Sequence, residues 1–123
     1  GQRELAGVDY IEHPKAVANL VNSDEEKAVA YLHDVLEDTY ITEKDLLQMG
    51  IPNNIVLAVK VLTKEKNEPY TKYIERVKEN KLASTVKIAD LQHNMNLSRI
   101  ANPSKRDYER LEKYKRALTF LKL

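Results

Sequence analysis

The sequence of 123 residues contains no cysteine, and it has only three glycines and four prolines. The absence of cysteine excludes a disulfide scaffold, a thiolate metal site and a cysteine nucleophile. The few glycines and prolines leave little room for the turns of a sheet, whereas Ala, Leu, Lys and Glu, which favour helices, dominate. The composition therefore predicts an all-α fold.

The chain also lacks an excess of either charge, since 20 basic side chains oppose 19 acidic ones. This balance argues against a dedicated nucleic-acid or membrane-surface binder. No apolar run approaches the length of a membrane span, and no signal-peptide pattern is present. We therefore expect a single domain, residues 1–123, without a membrane or nucleic-acid partner. A cytoplasmic location is consistent with these features, and homo-oligomers are left open.

Apolar periodicity and capping residues predict seven helices in one bundle. Ser23 and Glu26 form a capping-box pattern at the start of a central helix, Thr42 caps the next, and Gly50 ends it. Residues 1–10 have no clear period and are predicted as loop. The predicted helices cover residues 14–21, 24–38, 43–49, 52–62, 69–77, 82–95 and 105–122.

The central helix carries the most unusual stretch, with His33, Asp34, Glu37 and Asp38 in six consecutive positions of an otherwise apolar element. On a helix His33 lies over Glu37, and Asp34 lies over Asp38. Three carboxylates so close together repel one another unless something neutralises them. A divalent cation bound by His33 and Asp34 would do so. The alternative interpretation is a helix end at which Glu37 and Asp38 are simply solvated.

A second polar group occurs in the buried-looking helix around Asp90, which shares a face with His93 and Asn94. An aspartate among apolar residues is costly unless it is paired or bound to a metal. Taken alone, Asp90 can be either a hydrogen-bond anchor of the bundle or a ligand. His13, just ahead of Pro14, can likewise be a loop histidine.

Taken together, the segments Tyr10–Pro14, His33–Thr39 and Lys87–Met95 resemble the motifs of the HD-domain metal phosphohydrolases. More narrowly, they resemble the hydrolase domain of RelA/SpoT-type alarmone enzymes and the small stand-alone alarmone hydrolases. The order and spacing of the segments are specific, and the resemblance covers almost the whole chain. It implies a compact HD-domain helical bundle and a guanosine-3′,5′-bis(diphosphate) 3′-pyrophosphohydrolase.

The resemblance also implies roles for individual residues. The metal ligands fall on His13, His33, Asp34 and Asp90, a donor set that suits an ion such as Mn²⁺. The catalytic acidic pair falls on Glu37 and Asp38, with Glu37 orienting or deprotonating a water. Substrate contacts are expected at Asn94, Tyr114, Lys64 and Arg3. Further basic candidates for holding phosphate are Lys87, Arg99 and Lys105.

The sequence departs from the family pattern before the first ligand. The family commonly has an Arg-Lys pair there, with the arginine packed on the purine, whereas this chain has Glu4 and Leu5, with Arg3 one position early. Asp9 stands where proline is usual. These differences favour a second hypothesis, an HD hydrolase of another nucleotide such as a nucleoside monophosphate or a cyclic nucleotide.

A third hypothesis is a catalytically inactive nucleotide-binding module of the same fold. The complete ligand set argues against it, because a decayed site is expected to lose at least one ligand. The family usually has one full helix ahead of the first ligand, and we expect that helix to be absent from this sequence. A synthetase half does not fit in 123 residues.

Overall fold

Eight helices make up the part of the chain that the computed structural model describes, residues 12–97 and 102–123. These ranges contain no strand, and the all-α fold is confirmed. Within them, no helix is both long and apolar enough to cross a bilayer. The predicted loop at residues 1–10 lies outside the described part. The helices are α1 (Glu12–Asn19), α2 (Asp24–Leu32), α3 (Val35–Asp38), α4 (Glu43–Gln48), α5 (Asn53–Leu62), α6 (Tyr70–Lys78), α7 (Lys81–Leu97) and α8 (Lys105–Lys122).

Three of these helices begin with a complete capping box. In each, the hydroxyl of the N-cap residue accepts a hydrogen bond from the backbone N–H three residues on, and the carboxylate at that position accepts one from the N-cap N–H. Each box satisfies two backbone donors that a helix end would otherwise leave unpaired. The pairs are Ser23–Glu26, Thr42–Asp45 and Ser104–Asp107.

The predicted central helix is interrupted, which is why the structure has eight helices where seven were expected. Helix α2 ends at Leu32, α3 begins at Val35, and His33 and Asp34 form a turn between them. His33 Nδ1 lies 2.5 Å from the Ala30 carbonyl, which α2 would otherwise leave without an intrahelical partner. This contact ends α2 and turns the His33 ring into the interior.

Helix α7 lies at the centre of the bundle and contacts α1, α2, α5, α6 and α8. Its Val86 and Leu91 are fully buried, and they belong to one core with Val17 of α1 and Val29 of α2. Burial of such side chains stabilises the bundle by roughly 1.5–3 kcal/mol each. The same packing places Asp90 of α7 against α1 and the end of α2.

Gly50 ends α4 in a left-handed conformation, with φ of +89°. Its N–H donates to the Leu47 carbonyl at 3.1 Å, and the Ile51 N–H donates to the Leu46 carbonyl at 3.1 Å. This is the Schellman arrangement, in which glycine avoids the cost that a Cβ imposes at positive φ.

We expect Gly50→Ala to lower the free energy of unfolding by about 1 kcal/mol. A Cβ at this position would meet no atom within 4 Å, so the cost comes from backbone strain alone. Urea denaturation measures the loss, and Gly50→Asn, which tolerates positive φ better, is the control. Equal stability of the alanine variant and the wild type would contradict this account of the turn.

Candidate active site

Two histidines and an aspartate from three separate elements converge in the interior. His13 of α1, His33 after α2 and Asp90 of α7 are all buried, and each offers one ligand atom within 4.8 Å of the others. His13 Nε2 lies 2.8 Å from Asp90 Oδ1, and His33 Nε2 lies 3.4 Å from the same oxygen. The structure thus brings together three of the four ligands predicted from the sequence.

His33 has the orientation that a metal ligand requires. The Ala30 carbonyl can only accept a hydrogen bond, so Nδ1 carries the hydrogen and the neutral ring has its lone pair on Nε2. Nε2 is buried and has no hydrogen bond of good geometry within the described residues. It lies 3.3 Å from Asp34 Oδ2, so the fourth predicted ligand borders the group. The two imidazoles of His13 and His33 and the carboxylate of Asp90 together form a donor set that fits a divalent metal ion.

The local charges determine the protonation of this group when no metal is bound. Burial alone would lower the pKa of His33, but the nearby carboxylates of Asp90 and Asp34 outweigh it and raise the pKa to about 9. Burial would likewise raise the pKa of Asp90, yet the Lys87 ammonium and the two histidines hold it well below its usual range. The raised pKa therefore favours a protonated His33 when no metal is bound.

Lys87 has a role that the sequence did not indicate. Its Nζ lies 3.0 Å from Asp90 Oδ2, and its side chain is only 15% exposed. Burial would lower the pKa of Lys87, but the attraction of Asp90 outweighs it and raises the pKa. Because Lys87 occupies one carboxylate oxygen, the other oxygen faces the histidines. The i, i+3 spacing of Lys87 and Asp90 is a signal that could have identified this pair.

His93 is a second residue whose role the sequence did not reveal. Its Nδ1 lies 2.6 Å from His13 Nδ1, and the two rings stack with their centroids 4.8 Å apart. Burial and the neighbouring His13 lower the pKa of His93, so its neutral ring can share one hydrogen with His13. His93 therefore fixes the orientation of His13, as residues around metal ligands commonly do.

An open cavity of about 160 Å³ adjoins the histidines and carboxylates. Glu37 lies at its edge, where the Lys64 backbone N–H donates to Glu37 Oε1 at 2.9 Å. The Lys64 side chain lines the cavity too, with its Nζ donating to the Glu65 carbonyl at 3.3 Å. The catalytic carboxylate predicted from the sequence is thus held at the cavity by a backbone hydrogen bond. The cavity is lined by His33, Asp34, Glu37, Lys64, Tyr70, Lys87 and Asp90, among others.

Among the other predicted site residues that the structure describes, Asp38, Asn94, Tyr114 and Lys105 do not line this cavity. Asp38 is exposed on α3, and Lys105 is exposed at the start of α8. Asn94 Nδ2 donates to Asp90 Oδ1 over a long 3.4 Å. Tyr114 of α8 is half-buried against the core. Arg3 and Arg99 lie outside the described residues.

Arg76 of α6 forms hydrogen bonds that hold the loop carrying Lys64. The guanidinium donates to the Val61 carbonyl at 2.8 Å, to the Thr63 carbonyl at 3.3 Å and to Glu68 Oε1 at 2.8 Å. These bonds satisfy carbonyls at the end of α5 and hold the loop in one conformation. Arg76 therefore supports the Lys64–Glu37 contact from a distance.

Comparisons with known proteins connect this site to a group of enzymes, although a scan against protein-family models matches none. The chain is 31% identical to a guanosine-3′,5′-bis(diphosphate) 3′-pyrophosphohydrolase of Haemophilus influenzae, over 86% of this chain and 18% of that protein. It is 30% identical to the bifunctional (p)ppGpp synthase/hydrolase SpoT of Escherichia coli, over 86% and 17%. It is 32% identical to the GTP pyrophosphokinase Rsh of Brucella ovis, over 85% and 16%.

A solved structure, that of a metazoan orthologue of SpoT which hydrolyses ppGpp, shares the fold. The TM-score is 0.75 at 18% identity, over 94% of this chain and 72% of that one. The chain spans less than a fifth of the length of the curated relatives it matches. The sequence motifs, the fold and these relatives all indicate the same group of proteins. The chain is therefore an HD-type domain related to the SpoT and RelA-type (p)ppGpp hydrolases.

Proposed function

We propose that this domain is a metal-dependent hydrolase that releases the 3′ pyrophosphate of guanosine-3′,5′-bis(diphosphate). The observation that carries the proposal is the buried group of His13, His33 and Asp90 beside a cavity at whose edge Glu37 is held. The activities for which the relatives from Haemophilus influenzae and Escherichia coli are named support the choice of substrate.

The proposed metal is Mn²⁺, held by His13, His33 and Asp90, with Asp34 as the fourth protein ligand. Asp34 is included because its Oδ2 is 3.3 Å from His33 Nε2, on the cavity side of the group. When bound, the ion would supply Lewis acidity toward water and toward a phosphoryl oxygen. His93 would keep the His13 ring in the ligand orientation.

Each residue of the site would then have a distinct role in the hydrolysis. Water adds its oxygen to the 3′ phosphorus while the bond between that phosphorus and the 3′ oxygen breaks. Glu37 accepts the proton that the water loses, and a proton is returned to the departing 3′ oxygen, which becomes the 3′ hydroxyl of GDP. Lys64 fixes Glu37 through its backbone N–H, and the ammonium groups of Lys64 and Lys87 attract the phosphates. Asp38 is proposed to assist Glu37. Asn94, Tyr114 and Arg3 remain proposed contacts to the nucleotide.

A second candidate is hydrolysis of another nucleotide, and the observation that favours it is Glu4 and Leu5 in place of the family's Arg-Lys pair. Incubation with Mn²⁺ and a panel of ppGpp, nucleoside monophosphates and cyclic nucleotides separates the two. GDP and pyrophosphate as products of ppGpp support the first proposal. Turnover of another nucleotide without turnover of ppGpp supports the second.

We expect chelation of the metal to lower the melting temperature by several degrees. Because the ligands come together only in the folded chain, an ion at a hundredfold excess over its Kd stabilises the fold by about 2.7 kcal/mol. Differential scanning calorimetry with and without chelator, on protein first shown to contain metal, measures the effect. Equal melting curves would contradict the metal site.

His33→Ala should abolish the stoichiometric metal and the response to chelator. It is cleaner than a change at Asp90, which would leave the largely buried Lys87 ammonium without its partner and destabilise the fold by itself. Glu43→Gln, at a surface glutamate of α4 that pairs with Lys60, is the control and should keep the metal. Full metal content in His33→Ala would refute the assignment.

Glu37→Gln should reduce kcat by about 10²–10⁴-fold without loss of metal. The glutamine oxygen can still accept the hydrogen bond from the Lys64 N–H, so the geometry is kept while the proton acceptor is lost. Steady-state kinetics together with metal analysis test this, again with Glu43→Gln as the matched surface variant. A near-normal kcat, or a loss of metal, would show that Glu37 has a different role.

A further inference from the structure

The hydroxyl of Tyr70, the first residue of α6, is buried and has no hydrogen-bond partner within the described residues. Tyr73, one turn later on the same helix, shows the usual arrangement, since its hydroxyl donates to the Leu62 carbonyl at 2.6 Å. A buried hydroxyl without a partner costs stability, and native structures contain few such groups. The packing of the bundle therefore does not explain why the Tyr70 hydroxyl is buried without a partner within the described residues.

Tyr70 lines the same cavity as Glu37, Lys87 and Asp90. The charges of Lys87 and Asp90 act on its hydroxyl. The Lys113 ammonium of α8 lies 4.5 Å from the centre of the ring, and the ring of Tyr73 lies 5.9 Å away. The ring is thus packed against its neighbours, whereas the hydroxyl has no hydrogen-bond partner within the described residues.

The chemistry around this hydroxyl suits an anionic acceptor. Burial raises the pKa of Tyr70 to about 12, so the phenol keeps its proton at neutral pH and can donate. Two lysines, Lys64 and Lys87, line the cavity, and the Lys113 ammonium lies over the ring of Tyr70. Oxygen atoms of a phosphate group accept hydrogen bonds from neutral donors among such cations.

We infer that the Tyr70 hydroxyl is a substrate contact that donates a hydrogen bond to a phosphate oxygen of the nucleotide in the cavity. The inference rests on the proposed function, because it assumes a phosphorylated substrate beside Glu37. It adds to the site a residue from α6, an element from which neither the motifs nor the family resemblance supplies one. In the absence of substrate, the unpaired hydroxyl costs stability that binding recovers.

The test compares Tyr70→Phe with the wild type in two measurements. With ppGpp and Mn²⁺, the variant should show a KM raised by about tenfold, the loss of one hydrogen bond to a charged group, with little change in kcat and full metal content. Without substrate, its melting temperature should equal or exceed that of the wild type, because the variant no longer buries an unpaired hydroxyl.

Two other tyrosines provide the controls. Tyr73→Phe should lower the melting temperature, because it leaves the Leu62 carbonyl without its donor. Tyr108→Phe, at an exposed position of α8, should change neither the melting temperature nor the kinetics. An unchanged KM in Tyr70→Phe would overturn the inference. So would a loss of stability as large as that of Tyr73→Phe, which would mean that the hydroxyl has a structural partner.

Absence of ppGpp turnover by the wild type would overturn the proposed function and not this inference. The inference is then decided by calorimetric titration of the Mn²⁺-loaded protein with inorganic pyrophosphate. About tenfold weaker binding by Tyr70→Phe than by the wild type would support the phosphate contact. Equal affinities would overturn it.

Discussion

The buried carboxylate of Asp90 is the constraint on which the rest of the site depends. It lies in α7 between Ala89 and Leu91, in the core of the bundle, where an unpaired charge would be very costly. Lys87 of the same helix occupies one oxygen, and His13 and His33 approach the other. Satisfying this single carboxylate fixes how α1 and the end of α2 dock on α7, and so assembles the proposed metal site.

The positive charges around Asp90 offset the carboxylates of the group when no metal is bound. Burial raises the pKa of Asp34, and the charges of Asp34 and Asp90 raise that of His33 to about 9. A proton on His33 and the ammonium of Lys87 then offset the carboxylates. The proposed ion would replace that proton and offset the carboxylates in its place.

The cavity side of the site depends on a different set of contacts. Arg76 pairs with Glu68 and holds the carbonyls of Val61 and Thr63, and this fixes the loop between α5 and α6. The loop in turn presents the Lys64 N–H to Glu37. The proposed base is therefore positioned by backbone, while the proposed ligands are positioned by the core. Changes in the loop can thus affect turnover without affecting the metal.

The sequence by itself determined the all-α fold, the helix boundaries to within a few residues, and the positions of the caps, because these depend on local periodicity and short-range hydrogen bonds. It also singled out His33 and Asp90, since polar groups in apolar helices are costly wherever the helices dock. Only the tertiary structure decided that His93 stacks on His13, 80 residues away, and that the Tyr70 hydroxyl has no hydrogen-bond partner within the described residues. The interruption of the central helix at His33 was likewise decided by the tertiary structure, because there the His33 ring faces Asp90 of another helix. Such features depend on the relative orientation of distant elements, which local patterns do not encode.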